Sequence, residues 1–281
     1  MDRATVMGAI ANSVLEGWAP TALDSERLLA LADGAVTLDE YVAAAIDRAL
    51  AGAEVGPPDC IEVPRDFPDT FYPGTRILRN RFGIRDPHVL RQLEFEVGTA
   101  QQVGIEAGLI ALPATFDGAH LVAIHRTLFG AIYPWAGVFR RYDMGLRDQT
   151  FGAALIERYL TDATVILQLP QASFAAAIEP RERDRRAYAH RAATAYAYLN
   201  CAHPFREGNG RAAKTLLQLV AAQAGYRFDY AAVTKKMWDG ASRRSAPDPG
   251  HYRPDAHALY RVFTAITARN VATVIPRSDA E

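Results

Sequence analysis

Hydrophobic residues recur at helical spacing along most of this 281-residue chain, which predicts helices as its main element. The best strand candidate is residues 138–150, which we interpret as a short hairpin with Gly145 near its turn. The predicted helices span approximately residues 4–16, 25–32, 38–50, 87–109, 117–131, 151–169, 182–200, 212–224, 230–243 and 255–270. The predicted fold class is therefore mostly α with one short hairpin.

Polar residues at helix starts support several of these boundaries. Asp24 is predicted to cap the second helix. Thr37 and Glu40 have the spacing of a capping box at the start of the third helix. Thr115 or Asp117 is predicted to cap the helix at 117–131.

The helices divide into a small N-terminal unit and a larger domain. Residues 1–52 hold the first three helices and are predicted to form one compact unit. Residues 53–69 contain several Gly and Pro residues and are interpreted as a linker. Residues 70–281 then form the main domain.

Charge is distributed unevenly between these parts. Residues 1–64 carry eleven acidic and three basic residues, whereas the remainder carries 21 acidic and 28 basic residues. Charges of opposite sign on two parts of one chain favour surfaces that pack against each other. The alternative is that the acidic helices are simply well solvated.

Composition excludes several classes of protein. With 49% hydrophobic and 22% charged residues, the chain can bury a sizeable core. Two cysteines, Cys60 and Cys201, cannot build a disulfide framework, which is typical of a reducing compartment. No apolar run approaches about 18 residues, so we expect a cytoplasmic protein without a membrane span. No basic patch with interleaved aromatic residues predicts direct nucleic-acid binding.

Residues 203–211 combine groups suited to phosphate chemistry. His203 is the side chain whose unperturbed pKa suits proton removal near neutral pH. Glu207 offers hard oxygen ligands of the kind that Mg²⁺ takes when substrate phosphates hold it. A lone histidine is more often a structural group, so the prediction depends on the whole stretch.

The second half of this stretch predicts an anion site at the start of a helix. Gly208 and Gly210 flank Asn209, so the backbone can turn tightly and direct N–H groups at an anion. Arg211 supplies a guanidinium and precedes the apolar residues 212–224, whose helix would present its positive end to that anion. A Gly-Asn-Gly sequence alone is usually only a turn.

This stretch resembles the signature of the Fic family, His-x-Phe-x-(Asp/Glu)-Gly-Asn-Gly-Arg-x-x-Arg. The matching positions are His203, Phe205, Glu207, Gly208, Asn209, Gly210 and Arg211. Lys214 occupies the last position, where the family has Arg. Residues 124–129 and 134–137, with Arg140, resemble an earlier block of the family, and the likeness covers roughly residues 70–225.

The resemblance implies a protein adenylyltransferase that moves AMP from ATP to a Tyr, Thr or Ser hydroxyl of a target protein. His203 would take the proton from the attacking hydroxyl, and Glu207 would hold Mg²⁺ between the α- and β-phosphates. Residues 208–210 would bind the α-phosphate, with Phe205 anchoring the loop in the core. Arg211 would hold the outer phosphates.

Lys214 is the departure from the family signature that has the clearest consequence for phosphate binding. The family's Arg at this position binds the γ-phosphate and pairs with an inhibitory Glu. Lys keeps the charge but loses the bidentate fork. The sequence therefore leaves open a near-silent toxin–antitoxin fusion, a different nucleotide preference or phosphate-transfer chemistry. Gly210 argues against phosphate transfer, because that branch of the family has a basic residue there.

The N-terminal unit resembles the small antitoxin of one class of Fic proteins, whose inhibitory helix carries (Ser/Thr)-x-x-x-Glu-(Gly/Asn). Glu16 and Gly17 match the last two positions, but Asn12 occupies the hydroxyl position and Ser13 lies one residue later. We hypothesise that Glu16 pairs with Lys214 and inhibits the enzyme. The alternative is a solvated acid at the end of a helix.

The predicted hairpin occupies the place of the family's flap, which binds a target segment as an added strand. An exposed strand edge can pair with a peptide through its backbone groups. The alternative is an ordinary connecting loop. The residues predicted to dock the target are Arg140, Arg141, Tyr142, Asp143 and Met144.

Overall fold

The computed structural model describes residues 2–58, 64–66, 68–146, 149–168 and 182–270. Ten α-helices lie in this part of the chain, which confirms the predicted mostly α fold class. They are α1 Arg3–Leu15, α2 Ala22–Ala32, α3 Leu38–Ala51, α4 Pro87–Glu106, α5 Gly118–Phe129, α6 Ile156–Gln168, α7 Glu182–Ala202, α8 Asn209–Gln223, α9 Lys235–Arg244 and α10 His257–Ile266.

Four short strands in the described residues form two antiparallel pairs. Strands β1, Met144–Leu146, and β2, Gln149–Phe151, make the hairpin. The hairpin therefore begins six residues later than the sequence prediction, and residues 140–143 precede it. Strands β3, Tyr226–Phe228, and β4, Thr267–Arg269, form a second sheet that the sequence prediction missed.

Capping residues set several helix boundaries. Thr37 accepts a hydrogen bond from the backbone N–H of Glu40 and the Glu40 side chain accepts one in return, so the predicted capping box of α3 is confirmed. The predicted cap of α2 is wrong: Thr21 is the N-cap, and Asp24 is the reciprocal member of a second capping box. Asp117 caps α5 by accepting from the N–H of His120.

The first three helices share one hydrophobic core with the rest of the protein. Helices α1 and α3 pack on α4, which in turn contacts α5 and α8. Val6 and Leu28 of the N-terminal helices belong to the same cluster of buried residues as Val97 and Val103 of α4. This packing places the end of α1 beside the start of α8.

The predicted linker and the two cysteines are described only in part. The linker at 53–69 lies partly outside the described residues, and Cys60 lies wholly outside them. Cys201 is a buried free thiol. No helix in the described ranges is long and apolar enough to span a membrane.

Candidate active site

The loop between α7 and α8 carries the predicted catalytic residues, and Arg140 holds its first part. His203, directly after α7, has a φ of 38°, a left-handed conformation that is uncommon outside glycine. The Arg140 guanidinium donates to the carbonyl oxygens of His203 at 2.8 Å and Ala202 at 3.3 Å. The backbone N–H of Arg140 donates to the Pro204 carbonyl at 2.9 Å. Arg140 is buried, so it positions this loop. Its predicted part in docking a target stays a prediction.

Asn209 closes the second part of the loop. Its Oδ1 accepts from the Phe205 N–H and its Nδ2 donates to the Phe205 carbonyl, both at 2.8 Å. Phe205 is fully buried and stacks on His125 with 3.7 Å between ring centroids. The Asn209 side chain is thus occupied within the loop, and its backbone N–H is the group available to an anion.

His125 of α5 supports the loop from below. The Gly137 N–H donates to Nδ1 of His125 at 2.9 Å, so the ring proton lies on Nε2, which donates to the Glu207 carbonyl at 2.8 Å. Burial lowers the pKa of His125 to about 3, and the ring is therefore neutral at pH 7. The sequence placed His125 in a block resembling the family but did not predict this role.

His203 is partly buried beside the hairpin. Its ring stacks on Phe151 of β2 with 4.3 Å between centroids. Burial, with the nearby Arg140 charge, lowers the pKa of His203 to about 4. The imidazole is therefore neutral at pH 7, the protonation state that a general base requires.

Glu207 and Arg211 form a network with Glu94 of α4. The Glu207 carboxylate accepts from the Gly208 N–H at 2.9 Å, and its side chain is 44% exposed. Burial and the Glu94 charge raise the pKa of Glu207. Arg211 makes an ion pair with Glu94 and lies 3.6 Å from the Glu207 carboxylate. Glu94 was missed because its partner lies 117 positions away in the sequence.

The guanidinium of Arg211 is enclosed as well as paired. Its carbon lies 4.7 Å from the centroid of the Phe95 ring and 4.6 Å from that of Phe129. Tyr133 donates to the second carboxylate oxygen of Glu94. Arg211 is therefore held against α4, along the wall of the site.

Lys214 pairs with Glu16, as hypothesised from the sequence. Nζ of Lys214 contacts the Glu16 carboxylate and lies 5.0 Å from the centroid of the Trp238 ring. The side chain of Lys214 is fully buried and that of Glu16 is 29% exposed. Burial lowers the pKa of Lys214 despite the neighbouring carboxylate. Burial opposes ionisation of Glu16, but the surrounding cations, first of them Lys214, hold its pKa below its usual range.

The turn at the end of α1 presents Glu16 to this lysine. Trp18 N–H bonds to the Ser13 carbonyl at 3.1 Å and Gly17 N–H to the Val14 carbonyl at 2.9 Å, which is the Schellman pattern. Gly17 has a φ of 97°, where only glycine fits without strain. The turn that ends α1 therefore explains why Gly17 follows Glu16.

Basic residues of the main domain hold the carbonyl end of α1. Arg91 donates to the Gly17 carbonyl at 2.8 Å, and Lys235 donates to the Leu15 carbonyl at 3.1 Å. Lys235 also binds both carboxylate oxygens of Asp239, at 3.0 and 2.9 Å. Cations at a helix C-terminus are favoured by the dipole of the helix.

Two buried hydrogen bonds align α1 on α4. Asn12 donates to Gln102 at 2.8 Å, and the hydroxyls of Ser13 and Thr99 lie 2.7 Å apart. Ser13, the displaced hydroxyl of the inhibitory pattern, is thus a docking contact with α4.

Glu16 lines three cavities. The catalytic cavity, of about 460 Å³, is lined by Glu16, Phe71, Arg76, Met144–Leu146, His203 and residues 206–210. The outer cavity, of about 330 Å³, is lined by Glu16, Arg76, Ile77, Leu78, Pro87, His88, Leu90, Arg91, Glu94, Phe95, Tyr133, Glu207 and Arg211. The side cavity, of about 200 Å³, is lined by Glu16, Leu146, Gln149, Phe151, Tyr196, Asn200, His203, Gly210, Lys235, Trp238, Asp239, Ser242 and Arg243.

The two glycines of the loop are required by close neighbours. Gly208 has a φ of 79°, and a Cβ there would overlap the Phe129 ring. A Cβ on Gly210 would overlap the Glu16 carboxylate. Glu16 therefore lies directly against the backbone of the predicted anion site.

The remaining residues predicted for the flap have different surroundings. Arg141 is exposed, and the Tyr142 carbonyl accepts from Arg140 at 2.6 Å. Asp143 accepts from the Ala153 N–H at 2.7 Å and so ties the two ends of the hairpin together. Met144 is buried and lines the catalytic cavity. Of these residues, Met144 alone belongs to strand β1.

Comparison with known proteins identifies the family. A sequence model of the Fic/DOC family matches residues 115–221. The probable protein adenylyltransferase Fic of Escherichia coli (strain K12) is 30% identical over 199 residues, which cover 70% of this chain and 90% of that protein. The protein adenylyltransferase VbhT of Bartonella schoenbuchensis is 32% identical over 174 residues, covering 62% of this chain and 34% of VbhT.

Solved structures give the same result. The BepC protein of Bartonella tribocorum with bound AMPPNP is 25% identical with a TM-score of 0.58, covering 72% of this chain and 97% of that one. The N-terminal Fic domain of a Bartonella quintana protein with bound ADP has the same identity of 25% and TM-score of 0.58, with 73% and 96% covered. The chain is an α-helical protein, and it belongs to the Fic/DOC family.

Proposed function

We propose that the protein is an autoinhibited protein adenylyltransferase. The supporting observation is that His203 and half-exposed Glu207 line a single cavity with the uncapped start of α8. The reaction would transfer AMP from ATP to a Tyr, Thr or Ser hydroxyl of a protein. The hydroxyl oxygen forms a bond to the α-phosphorus, His203 takes its proton, and pyrophosphate leaves.

The start of α8 supplies the site for the α-phosphate. Gly208 is its N-cap and provides no side-chain hydrogen bond to the first turn. The first N–H groups of a helix have no partner within the helix, so those of residues 209–211 can bind phosphate oxygens. These donors are fixed before the reaction by the Asn209 and His125 contacts, and they stabilise charge that builds on the α-phosphate.

The residues present fit a Mg²⁺ ion at Glu207. One oxygen of its carboxylate accepts from Gly208, which leaves the other for a metal. Among the described residues no three potential ligands converge, so the ion would take its other ligands from ATP and water, as Mg²⁺ commonly does. When bound, Mg²⁺ would neutralise phosphate charge. Glu207 would hold it, and the loop would orient that carboxylate.

Inhibition would follow from the position of Glu16. Its carboxylate pairs with Lys214 and lies against Gly210, and Glu16 lines all three cavities. A γ-phosphate that needs Lys214 must displace this carboxylate, since one cation cannot serve both. ATP would then bind with its α-phosphate out of line with the attacking hydroxyl. The N-terminal helices are thus an intramolecular partner of the active site.

A target protein would dock on the hairpin. Strand β1 lines the catalytic cavity close to His203, and its pairing within the described residues is to β2 on one side. The free edge of β1 offers backbone groups to an extended segment of the target. A hydroxyl on that segment would reach the cavity beside His203.

Label position in ATP separates this proposal from phosphate transfer. The full chain with Glu16→Gly is incubated with bacterial lysate and ATP labelled at either the α- or the γ-phosphate. AMP transfer labels protein from α-labelled ATP alone. Label from γ-labelled ATP alone would establish phosphate transfer, and label from neither would favour a near-silent fusion. Replacing ATP by the other nucleoside triphosphates tests whether this protein, which has Lys214, prefers a different nucleotide.

A further inference from the structure

Arg76 lies in a tight turn at the rim of the active site. The Tyr72 N–H donates to the Ile77 carbonyl at 3.0 Å, and the Thr75 N–H donates to the Tyr72 carbonyl at 3.1 Å. Tyr72 is buried, and its hydroxyl donates to the Asn80 carbonyl at 3.1 Å. The backbone of the turn is therefore fixed, while the side chain of Arg76 is exposed.

The catalytic loop itself holds this turn in place. Nε of Arg206 donates to the Thr70 hydroxyl at 3.1 Å. The guanidinium of Arg206 also stacks over Phe71, with 4.8 Å between its carbon and the ring centroid. Arg76 is thus kept at a defined place relative to residues 207–210.

That place is the boundary between two cavities. Arg76 lines the catalytic cavity, beside the start of α8, and the outer cavity, beside Glu94 and Arg211. A triphosphate with its α-phosphate at residues 208–210 would extend its outer phosphates toward this boundary. Arg76 is therefore within the region that the outer phosphates would cross.

The other predicted phosphate cations already have carboxylate partners. Arg211 is paired with Glu94 through Nη2, while its buried Nε and Nη1 make no hydrogen bond within the described residues, and Lys214 is paired with Glu16. Arg76 makes no hydrogen bond or ion pair with the residues that the structure describes. The cavity walls also carry the carboxylates of Glu94 and Glu207, so a polyphosphate there needs a further cation.

We propose that Arg76 binds the outer phosphates of the nucleotide and of the pyrophosphate that leaves, a role resting on the proposed adenylyltransferase function. Its planar fork can bind two phosphate oxygens in a fixed bidentate geometry, which the ammonium of Lys214 does not provide. Its exposure lets it follow the departing pyrophosphate. Arg76 acts on the triphosphate and not on the adenylyl group.

Equilibrium binding of ATP and AMP to the full chain tests the role. In a Glu16→Gly background, Arg76→Ala should weaken ATP binding by roughly 5- to 20-fold, the effect of one charge-assisted contact. AMP binding should change by less than about twofold, because AMP lacks the outer phosphates. Arg76→Lys should recover part of the ATP affinity, since it restores the charge without the fork.

Arg253→Ala is the matched control, because this exposed arginine lines none of the three cavities. ATP affinity equal in the Arg76→Ala and Arg253→Ala proteins would overturn the role. An equal loss for ATP and AMP would overturn it too, because the effect would then not concern the outer phosphates. If the Glu16→Gly protein with Arg76 intact binds neither ATP nor AMP, the proposed function fails as well.

Discussion

Removing the Glu16 carboxylate tests the inhibitory contact directly. In Glu16→Gly, Lys214 loses its ion pair and the space against Gly210 opens. The end of α1 keeps its other contacts, including the bonds from Arg91 and Lys235. We therefore expect a folded protein with an accessible phosphate site.

The structure sets the size of the expected effects. Breaking a fully buried ion pair costs about 3–5 kcal/mol, but Glu16 is 29% exposed. Lys214 can also release its proton, because burial already lowers its pKa. We expect a loss of stability of about 1–3 kcal/mol, a fall of a few degrees in Tm. The same coupling energy predicts a rise in transfer of roughly 5- to 150-fold.

The assay measures label incorporated from α-labelled ATP, together with Tm, for the parent, Glu16→Gly and Glu26→Gly proteins. Glu26 is an exposed acid of α2 and controls for replacing an acidic residue of the N-terminal helices by glycine away from the active site. Lys214→Ala should not raise transfer, because it removes the phosphate contact along with the pair. Transfer by Glu16→Gly that is no faster than transfer by the parent would refute the inhibitory role.

Three further predictions concern groups around the same site. Glu207→Gln should abolish transfer and its response to added Mg²⁺, because an amide is a poor ligand for this ion; a Mg²⁺ titration that matches the parent would exclude Glu207 as the ligand. The pKa of His203 is about 4, and protonation disables a base, so kcat/KM in Glu16→Gly should stay level from pH 8 to about pH 5 and fall below that. A midpoint near 6.5 would contradict the burial argument. Lys235→Met should raise basal transfer by roughly 2- to 5-fold, less than Glu16→Gly does, because it removes only the hydrogen bond from the half-exposed Lys235 to the Leu15 carbonyl. Unchanged transfer would show that this hydrogen bond does not hold α1 in place.

Local signals in the sequence predicted most of the helices and the residues of the loop. Thr37 and Glu40 lie three residues apart, so their capping box can be read directly from the chain. The β3–β4 sheet could not be predicted in this way, because Phe228 and Thr267 become partners only through folding. Without that partner, the end of α10 has the pattern of a continuing helix.

The support of the active-site loop was also beyond local reasoning. His125 bonds to the Glu207 carbonyl 82 positions away, and Arg140 bonds to His203 over 63 positions. Arg140 has the spacing of a strand residue, but three backbone carbonyls draw its guanidinium inward. This shift explains why the hairpin begins at Met144 rather than at residue 138.

We propose that His203 acts as the base when AMP moves to a protein hydroxyl, once the Glu16 carboxylate is removed. The test compares the rate of label incorporation from α-labelled ATP in the Glu16→Gly and Glu16→Gly/His203→Ala proteins. ATP affinity is measured for both proteins and must be equal, so that a difference in rate reports on the chemical step. Loss of the general base predicts a rate lower by roughly 10²- to 10⁴-fold in the double variant, with an adenylyl adduct detected by mass spectrometry in the single one. Equal rates in the two proteins would show that His203 is not the general base.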